Sequence, residues 1–204
     1  MKLIIAATLA ASAAAFAPAQ VAQTSTTALS AFENELGVQP PLGFFDPLGL
    51  LADADQERFE RLRYVEVKHG RVAMLAFLGN IITRAGAHLP GSINSAGDSF
   101  DSFPNGWAAI WGPDAIPQGG LVQIVLLVGF LELGVMKDVT GTAEFPGDFR
   151  NDSIGGPQWA KFSEETKIQK RAIELNNGRA AMLGILGLMV HEQLGGSIPI
   201  VGEM

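Results

Sequence analysis

The sequence predicts an all-α membrane protein with three transmembrane helices, of which the first and the third cross about a pseudo-two-fold axis. Charged residues make up only 17% of the chain, whereas soluble domains usually carry about a quarter. Three long stretches with apolar segments contain no proline, as expected of uninterrupted helices. A ten-residue motif occurs on the first of these helices and again on the third, so the two helices are predicted to be structural equivalents.

The N-terminal segment, residues 1–31, has the composition of a targeting sequence and is set apart from this fold. Lys2 precedes an apolar run from Leu3 to Ala15 that ends in three alanines, as in a secretory signal. From Phe16 to Ala31 no residue is charged, and the stretch is rich in hydroxyl groups. We interpret residues 1–31 as a two-stage address that is removed, which leaves 32–204 as the membrane domain. A signal followed by a disordered spacer is the alternative.

The membrane domain opens with an arm rich in Gly and Pro, residues 32–52, which predicts turns or extended structure. From about Ala54 to Ala87 the sequence predicts the first helix, charged in its first half and mostly apolar from Val72 onwards. Such a helix would be about 50 Å long, more than the roughly 30 Å core of a bilayer, so part of it should protrude or tilt.

The second and third helices follow two irregular stretches, 88–120 and 137–162, that are rich in Gly, Pro, Ser and Asn. The second helix is predicted over Leu121 to Met136. Ser163 is a favourable N-cap and is followed by two glutamates, so the third helix should begin there. It is expected to end near Leu194, where a pair of glycines follows.

The distribution of basic residues supports three spans. Most of the 14 Lys and Arg residues lie before the first apolar stretch, between the second and third helices, or at the start of the third. These are Arg58, Arg61, Arg63, Lys68, Lys137, Arg150, Lys161, Lys167, Lys170 and Arg171. Residues 88–120 contain none, and neither does the tail after Leu194. With three crossings the basic segments fall on one side of the membrane, as the positive-inside rule expects.

The bulk properties exclude several classes of function. A net charge of −7 argues against a nucleic acid partner. The chain has no cysteine, which excludes a disulfide framework, a thiolate zinc site and a cysteine nucleophile.

The repeated motif is Glu66-Val-Lys-His-Gly-Arg-Val-Ala-Met-Leu75 (copy one) and Glu174-Leu-Asn-Asn-Gly-Arg-Ala-Ala-Met-Leu183 (copy two), and six of the ten positions are identical. Within each copy the Glu and Arg are five residues apart, roughly 140° around the helix, whereas intrahelical pairs need three or four residues. A local two-fold axis offers a reciprocal solution, in which Glu66 pairs with Arg179 and Glu174 with Arg71. An unpaired charge in a bilayer costs at least about 2.5–3.5 kcal/mol, so crossed pairing should fix the register of the two helices.

Four side chains of the motif are candidate ligands. His69 and Asn177 each lie three residues after the Glu of their copy, on the same helix face as Glu66 and Glu174. All four offer a lone pair, and the glycine after His69 or Asn177 lets a helix or a flat group approach the backbone. They do not converge as the ligands of a chelated ion would. Magnesium at the centre of a macrocycle, which needs one axial ligand, fits better. A helix crossing without any ligand is an alternative that spacing alone leaves open.

Three more polar residues lie within the predicted helices. Gln123 and Glu132 interrupt the second helix, and His191 lies four turns after Asn177 on a similar face. Each is a candidate ligand. The alternatives are a helix–helix hydrogen bond for Gln123, an interfacial or protonated carboxyl group for Glu132, and an ordinary interfacial histidine for His191.

These motifs resemble the signature of the light-harvesting chlorophyll-binding proteins. Phe44-Phe45-Asp46-Pro47-Leu48-Gly49 and the segments 147–152 and 167–176 look like the fucoxanthin–chlorophyll a/c branch of that family, and the likeness covers about residues 32–200. Ala14-Ala15-Phe16-Ala17-Pro18 is similar to the cleavage motif of signal-plus-transit sequences in algae with secondary red plastids. By this resemblance, residues 1–31 are a signal plus plastid transit segment.

The resemblance implies an antenna protein rather than an enzyme. Its expected cofactors are chlorophyll a, chlorophyll c and fucoxanthin or a related carotenoid. Its expected place is the thylakoid membrane of the plastid, with the N-terminus in the stroma. Its expected partners are other antenna subunits, in a homo- or hetero-oligomer, and the core of photosystem I or II.

The resemblance also implies roles for individual residues. Glu66, His69, Glu174 and Asn177 would be axial ligands of chlorophyll magnesium, with Arg71 and Arg179 as the ion-pair partners. Gln123 matches a ligand position of the second helix, Glu132 is one residue off the expected spacing, and His191 stands where green-plant relatives have Gln. The Asp46–Gly49 turn resembles a loop beside a carotenoid end, and its counterpart near Phe145–Gly156 is degenerate.

Two other functions compete with light harvesting. A membrane enzyme would have to use Glu66, His69 and Glu132, but the sequence has no metalloprotease motif, nucleophile elbow or phosphate loop. A photoprotective quencher built on the same fold is equally compatible with the sequence.

Overall fold

The computed structural model describes residues 32–53, 55–151, 155–195, 197–198 and 202–203. The predicted targeting segment, residues 1–31, lies outside the described residues. The chain divides into two compact units, Met1–Asp55 and Gln56–Met204.

In the first unit, the described backbone forms turns and an isolated β-bridge between Gln39 and Gly43, as the Gly- and Pro-rich composition predicts. The Asp46 carboxylate closes one of these turns by accepting hydrogen bonds from the backbone N–H groups of Leu50, at 3.0 Å, and Leu51, at 2.8 Å. Gly49 has φ +63°, a left-handed conformation that glycine adopts without strain.

The second unit is predominantly helical. Its elements are α1 (Gln56–Arg84), a 3₁₀ turn (Phe100–Ser102), α2 (Ala108–Trp111), α3 (Gln118–Phe130), a π-helical turn (Leu131–Val135), α4 (Gly156–Trp159), α5 (Glu164–Leu194), β1 (Ser197–Ile198) and β2 (Gly202–Glu203). The two strands are antiparallel, with Ser197 opposite Glu203 and Ile198 opposite Gly202.

The three long helices lie where the sequence predicts them, with some different bounds. α1 is shorter at both ends than predicted, and the four basic residues Arg58, Arg61, Arg63 and Lys68 lie in its charged first half, as the sequence predicts. α3 begins at Gln118 rather than Leu121, because Pro117 occupies the N-cap, where its missing N–H group costs nothing. The short helices α2 and α4 occupy parts of the stretches that were predicted to be irregular.

The predicted ends of α5 are confirmed. The Ser163 hydroxyl accepts a hydrogen bond from the backbone N–H of Thr166 and so caps the first turn. Gly195 has φ +64° and its N–H group donates to the carbonyl of Glu192, which ends the helix in a left-handed C-cap.

α1 and α5 pack against each other through small residues. A Cβ built on Gly70 would lie 2.9 Å from the Cα of Gly178, and one built on Gly178 would lie 2.9 Å from the Cα of Gly70. Ala73 and Ala181, which are also equivalent positions, are buried. These reciprocal contacts are what a local two-fold axis produces, and small residues at the crossing allow the backbones to approach closely.

One helical segment among the described residues is long and apolar enough to cross a membrane. It is the 18-residue run Gln118–Val135, formed by α3 and the π turn, with a mean hydropathy of 1.7 and no buried residue. Its length of about 27 Å is close to the roughly 30 Å core of a bilayer. The apolar core helix of a soluble protein would instead be largely buried. Among the described residues, α1 and α5 do not meet the same criterion.

Candidate functional site

Two crossed ion pairs join α1 to α5 next to the glycine contact. Arg71 Nε donates a hydrogen bond to Glu174 Oε1 at 2.6 Å, and Arg179 Nε donates to Glu66 Oε1 at 2.7 Å. The reciprocal pairing that the motif spacing predicts is therefore present. Both pairs use the same atoms in the same sense, which agrees with the two-fold relation of the helices.

The surroundings of the two pairs differ. Arg63 Nη1 donates to the second oxygen of Glu66, Oε2, at 2.9 Å. Both oxygens of Glu66 therefore accept a hydrogen bond from an arginine, and a ligand there would have to share an oxygen through its second lone pair. Arg63 lies three residues before Glu66, a spacing that permits an intrahelical pair, so the sequence contains the signal for this contact.

The second pair is attached to the loop that follows the π turn. Arg71 Nη1 donates to the carbonyl of Gly147 at 2.6 Å. The guanidinium carbon of Arg71 also lies 5.7 Å from the centre of the Phe149 ring. One arginine thus holds both Glu174 and this loop.

The hydrogen bond of His69 determines which ring nitrogen faces outward. Nδ1 lies 2.8 Å from the carbonyl of Val65, one turn earlier on α1. Because a carbonyl can only accept, Nδ1 must carry the proton, and the neutral ring then has its lone pair on Nε2. The side chain is exposed, so this lone pair is available to a ligand outside the helix.

Asn177 repeats this arrangement in copy two. Its Nδ2 donates to the carbonyl of Ile173 at 2.8 Å, again one turn earlier, which leaves Oδ1 as the outward acceptor of an exposed side chain. In both copies, then, the backbone orients the side chain and leaves one lone pair on the helix surface. The i−4 spacing that allows this is visible in the sequence.

A recess of about 400 Å³ lies beside His69. Its other lining residues are Lys68, Val72, Ala73, Ala76, Met182 and Ile185. One lone pair at the edge of a mostly apolar surface suits a flat apolar group with a single axial coordination position.

The remaining predicted ligands lie apart from the crossing. Gln123 is exposed on α3 and His191 is exposed near the end of α5, and within the described residues neither side chain makes a hydrogen bond. Glu132 lies in the π turn, where its Oε2 accepts a hydrogen bond from Lys68 Nζ. Among the described residues, no group of three or more His, Cys, Asp or Glu side chains could hold a bare metal ion.

A further interhelical ion pair was not predicted. Arg84 Nη2 lies 3.0 Å from Glu192 Oε2, and the two side chains are only 7% and 11% exposed. Glu192 Oε1 also accepts from the backbone N–H of Trp107 at 2.6 Å, and Arg84 Nε donates to Asn80 Oδ1 at 2.9 Å. Arg84 and Glu192 are separated by the same 108 residues as the two motif copies, so the repeat could have revealed this pair.

The loop after the π turn contains a second group of charges. Arg150 Nε donates to Asp148 Oδ1 at 2.6 Å, and this hydrogen bond holds the pKa of Asp148 below its ordinary value. Trp159 Nε1 donates to Glu144 Oε2 at 2.8 Å, and this bond lowers the pKa of Glu144, with Lys167 and Arg150 acting in the same direction. The Arg150 guanidinium lies 4.2 Å from the centre of the Trp159 ring.

The sequence model of the family described as "Chlorophyll A-B binding protein" matches residues 32–193. The chain belongs to the chlorophyll a/b-binding protein family. Because this is a family of pigment-binding light-harvesting proteins, the prediction that the chain is not an enzyme is confirmed.

Relatives within the chlorophyll a/b-binding family cover nearly the whole chain. The chain is 76% identical over 204 residues, which is all of both proteins, to a chloroplastic fucoxanthin-chlorophyll a-c binding protein of Trieres chinensis. It is 62% identical to protein E of that kind from Phaeodactylum tricornutum, over 97% of this chain and 98% of the relative. It is 57% identical to protein F from Macrocystis pyrifera, over 90% and 85%. The resemblance to the fucoxanthin–chlorophyll branch is thus confirmed, and the chloroplastic relatives support a plastid location.

Proposed function

We propose that this chain is a photosynthetic light-harvesting antenna that binds chlorophyll a, chlorophyll c and a fucoxanthin-type carotenoid and transfers excitation energy to a photosystem. The observation that carries the proposal is the matched geometry of His69 and Asn177. Each is held by the carbonyl one turn earlier, and each presents one lone pair beside a charge-compensated helix crossing. The names of the relatives supply the identity of the pigments.

The residues present fit chlorophyll. Magnesium in a macrocycle takes one axial ligand, and His69 Nε2 and Asn177 Oδ1 each offer one. Glu66 and Glu174 are proposed as further axial ligands, since the arginines neutralise their charge while each carboxylate retains acceptor capacity. Chlorophyll, when bound, supplies the absorption of light and the excited state. The chain's own residues hold the rings at fixed positions and keep water from the apolar recess.

Further ligand positions are proposed on weaker support. Gln123 and His191 are exposed side chains on α3 and α5 and so are accessible to a pigment. Glu132 stays a candidate through its second oxygen, since Lys68 bonds to Oε2. The turn that Asp46 closes is proposed to flank one end of a carotenoid.

The proposed setting is the thylakoid membrane. Residues 1–31 would be removed as a signal plus plastid transit segment, and α1, α3 and α5 of the domain 32–204 would cross the bilayer with the N-terminus in the stroma. Three features support this: the exposure of α3, the exposed apolar side chains on the second halves of α1 and α5, and the one-sided distribution of basic residues. The proposed partners are other antenna subunits, in a homo- or hetero-oligomer, and the core of photosystem I or II.

The test is an absorption spectrum of the purified chain, followed by extraction and chromatography of its pigments. We expect chlorophyll a, chlorophyll c and fucoxanthin, and excitation in the carotenoid band should produce chlorophyll a emission. A pigment-free chain with hydrolytic activity would overturn the proposal. The fluorescence lifetime of the pigmented protein separates harvesting from quenching, because a photoprotective quencher on this fold would shorten the lifetime of chlorophyll a strongly.

A further inference from the structure

The ion pair between Lys68 and Glu132 connects α1 to the π turn that continues α3. Lys68 Nζ donates to Glu132 Oε2, and the two side chains are 36% and 31% exposed. Lys68 is the third residue of copy one, and the equivalent residue of copy two is Asn176. The charge therefore breaks the two-fold symmetry of the motif, on the helix that contacts the π turn.

α3 and its π turn have few other attachments. Their large apolar side chains are exposed, among them Val125 at 68%, Leu126 at 66% and Leu133 at 72%. Within the part of the chain that the structure describes, Lys68 with Glu132 is the one ion pair or hydrogen bond that joins this segment to α1 or α5. Inside a bilayer, apolar side chains gain little by leaving lipid for another helix, so polar contacts and close packing have to set the position of a helix.

The glutamates at the contacts between long helices follow one rule. Each of Glu66, Glu132, Glu174 and Glu192 is paired with a cation from another helix. Three of these pairs join α1 to α5, and the fourth, with Lys68, reaches the π turn.

The helix geometry changes at the same place. The α-helical hydrogen bonding of α3 gives way to a π turn over Leu131–Val135, and Glu132 is the second residue of that turn. A π turn accommodates an extra residue in a helix and frequently occurs at functional positions.

Lys68 also borders the recess beside His69. Because its ammonium group bonds to Glu132, its charge is neutralised and its aliphatic stem is left as part of the recess wall. We propose that Lys68 is a positioning residue that fixes α3 against α1 through Glu132 and so sets the place of α3 relative to the pigment at His69. The pigment part of this statement rests on the proposed antenna function, whereas the attachment of α3 does not.

The experiment measures the distance between α1 and α3 in the pigment–protein complex reconstituted in detergent. The natural chain has no cysteine, so Leu75→Cys and Val125→Cys, both at exposed positions, can carry a pair of spin labels for pulsed electron paramagnetic resonance. Lys68→Met and Glu132→Gln remove the ion pair, and Lys68→Arg keeps it. Lys161→Met is the matched control, since Lys161 is an exposed lysine in the loop before α5.

We expect Lys68→Met and Glu132→Gln each to broaden the distance distribution at least about twofold. Loss of a charged hydrogen bond typically shifts such an equilibrium about tenfold, which is enough to populate detached positions of α3. The chlorophyll a absorption band should shift in both variants, because the environment of the pigment at His69 changes. Lys68→Arg and the Lys161→Met control should keep the narrow distribution of the parent.

Distributions in Lys68→Met and Glu132→Gln as narrow as in the control would overturn the proposal. If Lys68→Met and Glu132→Gln do not assemble at all, Lys68→Arg decides the matter. Assembly of Lys68→Arg supports the proposal, and its failure overturns the proposal. Failure of the antenna function itself would be distinguishable, because the parent chain would then bind no pigment, whereas its inter-helix distance could still be measured.

Discussion

The two motif copies share the residues that form the helix crossing and differ in those that face outward. Glu, Gly and Arg are identical in the two copies and produce reciprocal contacts: two glycines in backbone contact and two crossed ion pairs. His69 and Asn177 differ in chemistry, yet both are held in the same way by the carbonyl one turn earlier. The repeat thus keeps the geometry of a ligand position and varies the donor atom.

The surroundings of the two copies differ more than their sequences. Glu66 is held by two arginines, Arg63 and Arg179. In the other pair, Arg71 holds Glu174 and also the loop at Gly147. A symmetric crossing therefore supports two sites with different electrostatic neighbours, which would let equivalent pigments absorb at different energies.

The largest effect is expected from removing one arginine of a crossed pair. Arg71→Leu removes the cation that pairs with Glu174 and the hydrogen bond to the carbonyl of Gly147. A lone charge within a bilayer costs at least about 2.5–3.5 kcal/mol. We expect no stable pigment complex from this variant in reconstitution. Arg179→Leu should also lower the yield sharply, but less than Arg71→Leu does, because Arg63 still partly compensates the charge of Glu66.

A double variant serves as the control for the arginine experiment. Arg71→Leu combined with Glu174→Gln removes the stranded charge and should recover part of the yield, because breaking a pair costs more than replacing both partners. A normal yield from Arg71→Leu alone would contradict the role given to the crossed pairing.

A smaller but still substantial effect is expected at the glycine contact. A Cβ at Gly70 or at Gly178 would lie 2.9 Å from the opposite backbone, so the helices would have to separate. Overpacking of this kind typically costs about 1–3 kcal/mol. The temperature at which pigments dissociate should fall in both Gly70→Ala and Gly178→Ala. The two decreases should be about equal, since the contact is reciprocal.

Gly79→Ala is the matched control for the glycine variants. Gly79 lies on the same helix, and nothing is within 4 Å of the Cβ that alanine would add, so this substitution should be neutral or stabilising by up to about 1 kcal/mol. Unequal effects of Gly70→Ala and Gly178→Ala would show that the two-fold relation does not extend to the energetics of the crossing.

The outward side chains test the other half of the comparison. His69→Ala and Asn177→Ala should each lose one chlorophyll per protein, with losses at different wavelengths, while the crossing stays intact. His69→Asn and Asn177→His should retain the pigment, because each keeps a lone pair at the same place. Pigment stoichiometry by extraction, together with difference absorption spectra, measures both outcomes. Full retention of pigment in both alanine variants would refute the ligand assignment.

Much of the helix crossing could be predicted from the sequence, because the spacing of residues within the motif determines which side chains can pair. The five-residue separation of Glu and Arg excludes an intrahelical pair, and the repeat supplies the partner helix. The caps of α5 followed from Ser163 and Gly195 for the same local reasons.

Contacts between segments without a repeated pattern could not be predicted. Nothing in the sequence indicates that Lys68 reaches Glu132, or that Arg71 holds the carbonyl of Gly147, because these contacts depend on how α3 and the following loop lie against α1. The ion pair between Arg84 and Glu192 could be predicted only in part. The two residues are separated by the same 108 residues as the motif copies, but an arginine and a glutamate at equivalent positions are not recognisable as a repeat.

The smallest effect is expected from pH, and it should act on the loop beside the second crossed pair. The pKa of Asp148 is lowered in the folded chain by its hydrogen bond with Arg150. The stability that this bond contributes is fully present above the unfolded pKa, about 3.9 for Asp, and is lost as pH falls through the lower folded value. Asp148 is the neighbour of Gly147, whose carbonyl binds Arg71, so acid should loosen the loop beside Glu174. In a chain with Trp107→Phe and Trp111→Phe, the fluorescence of Trp159, which lies against Arg150, should change below about pH 4. Asp148→Asn should reduce that change and leave the part that arises from Glu144, whose carboxylate accepts from Trp159 Nε1. Asp114→Asn, at an exposed aspartate elsewhere, should preserve the full change. A transition that persists unchanged in Asp148→Asn would assign the acid sensitivity of this loop to another group.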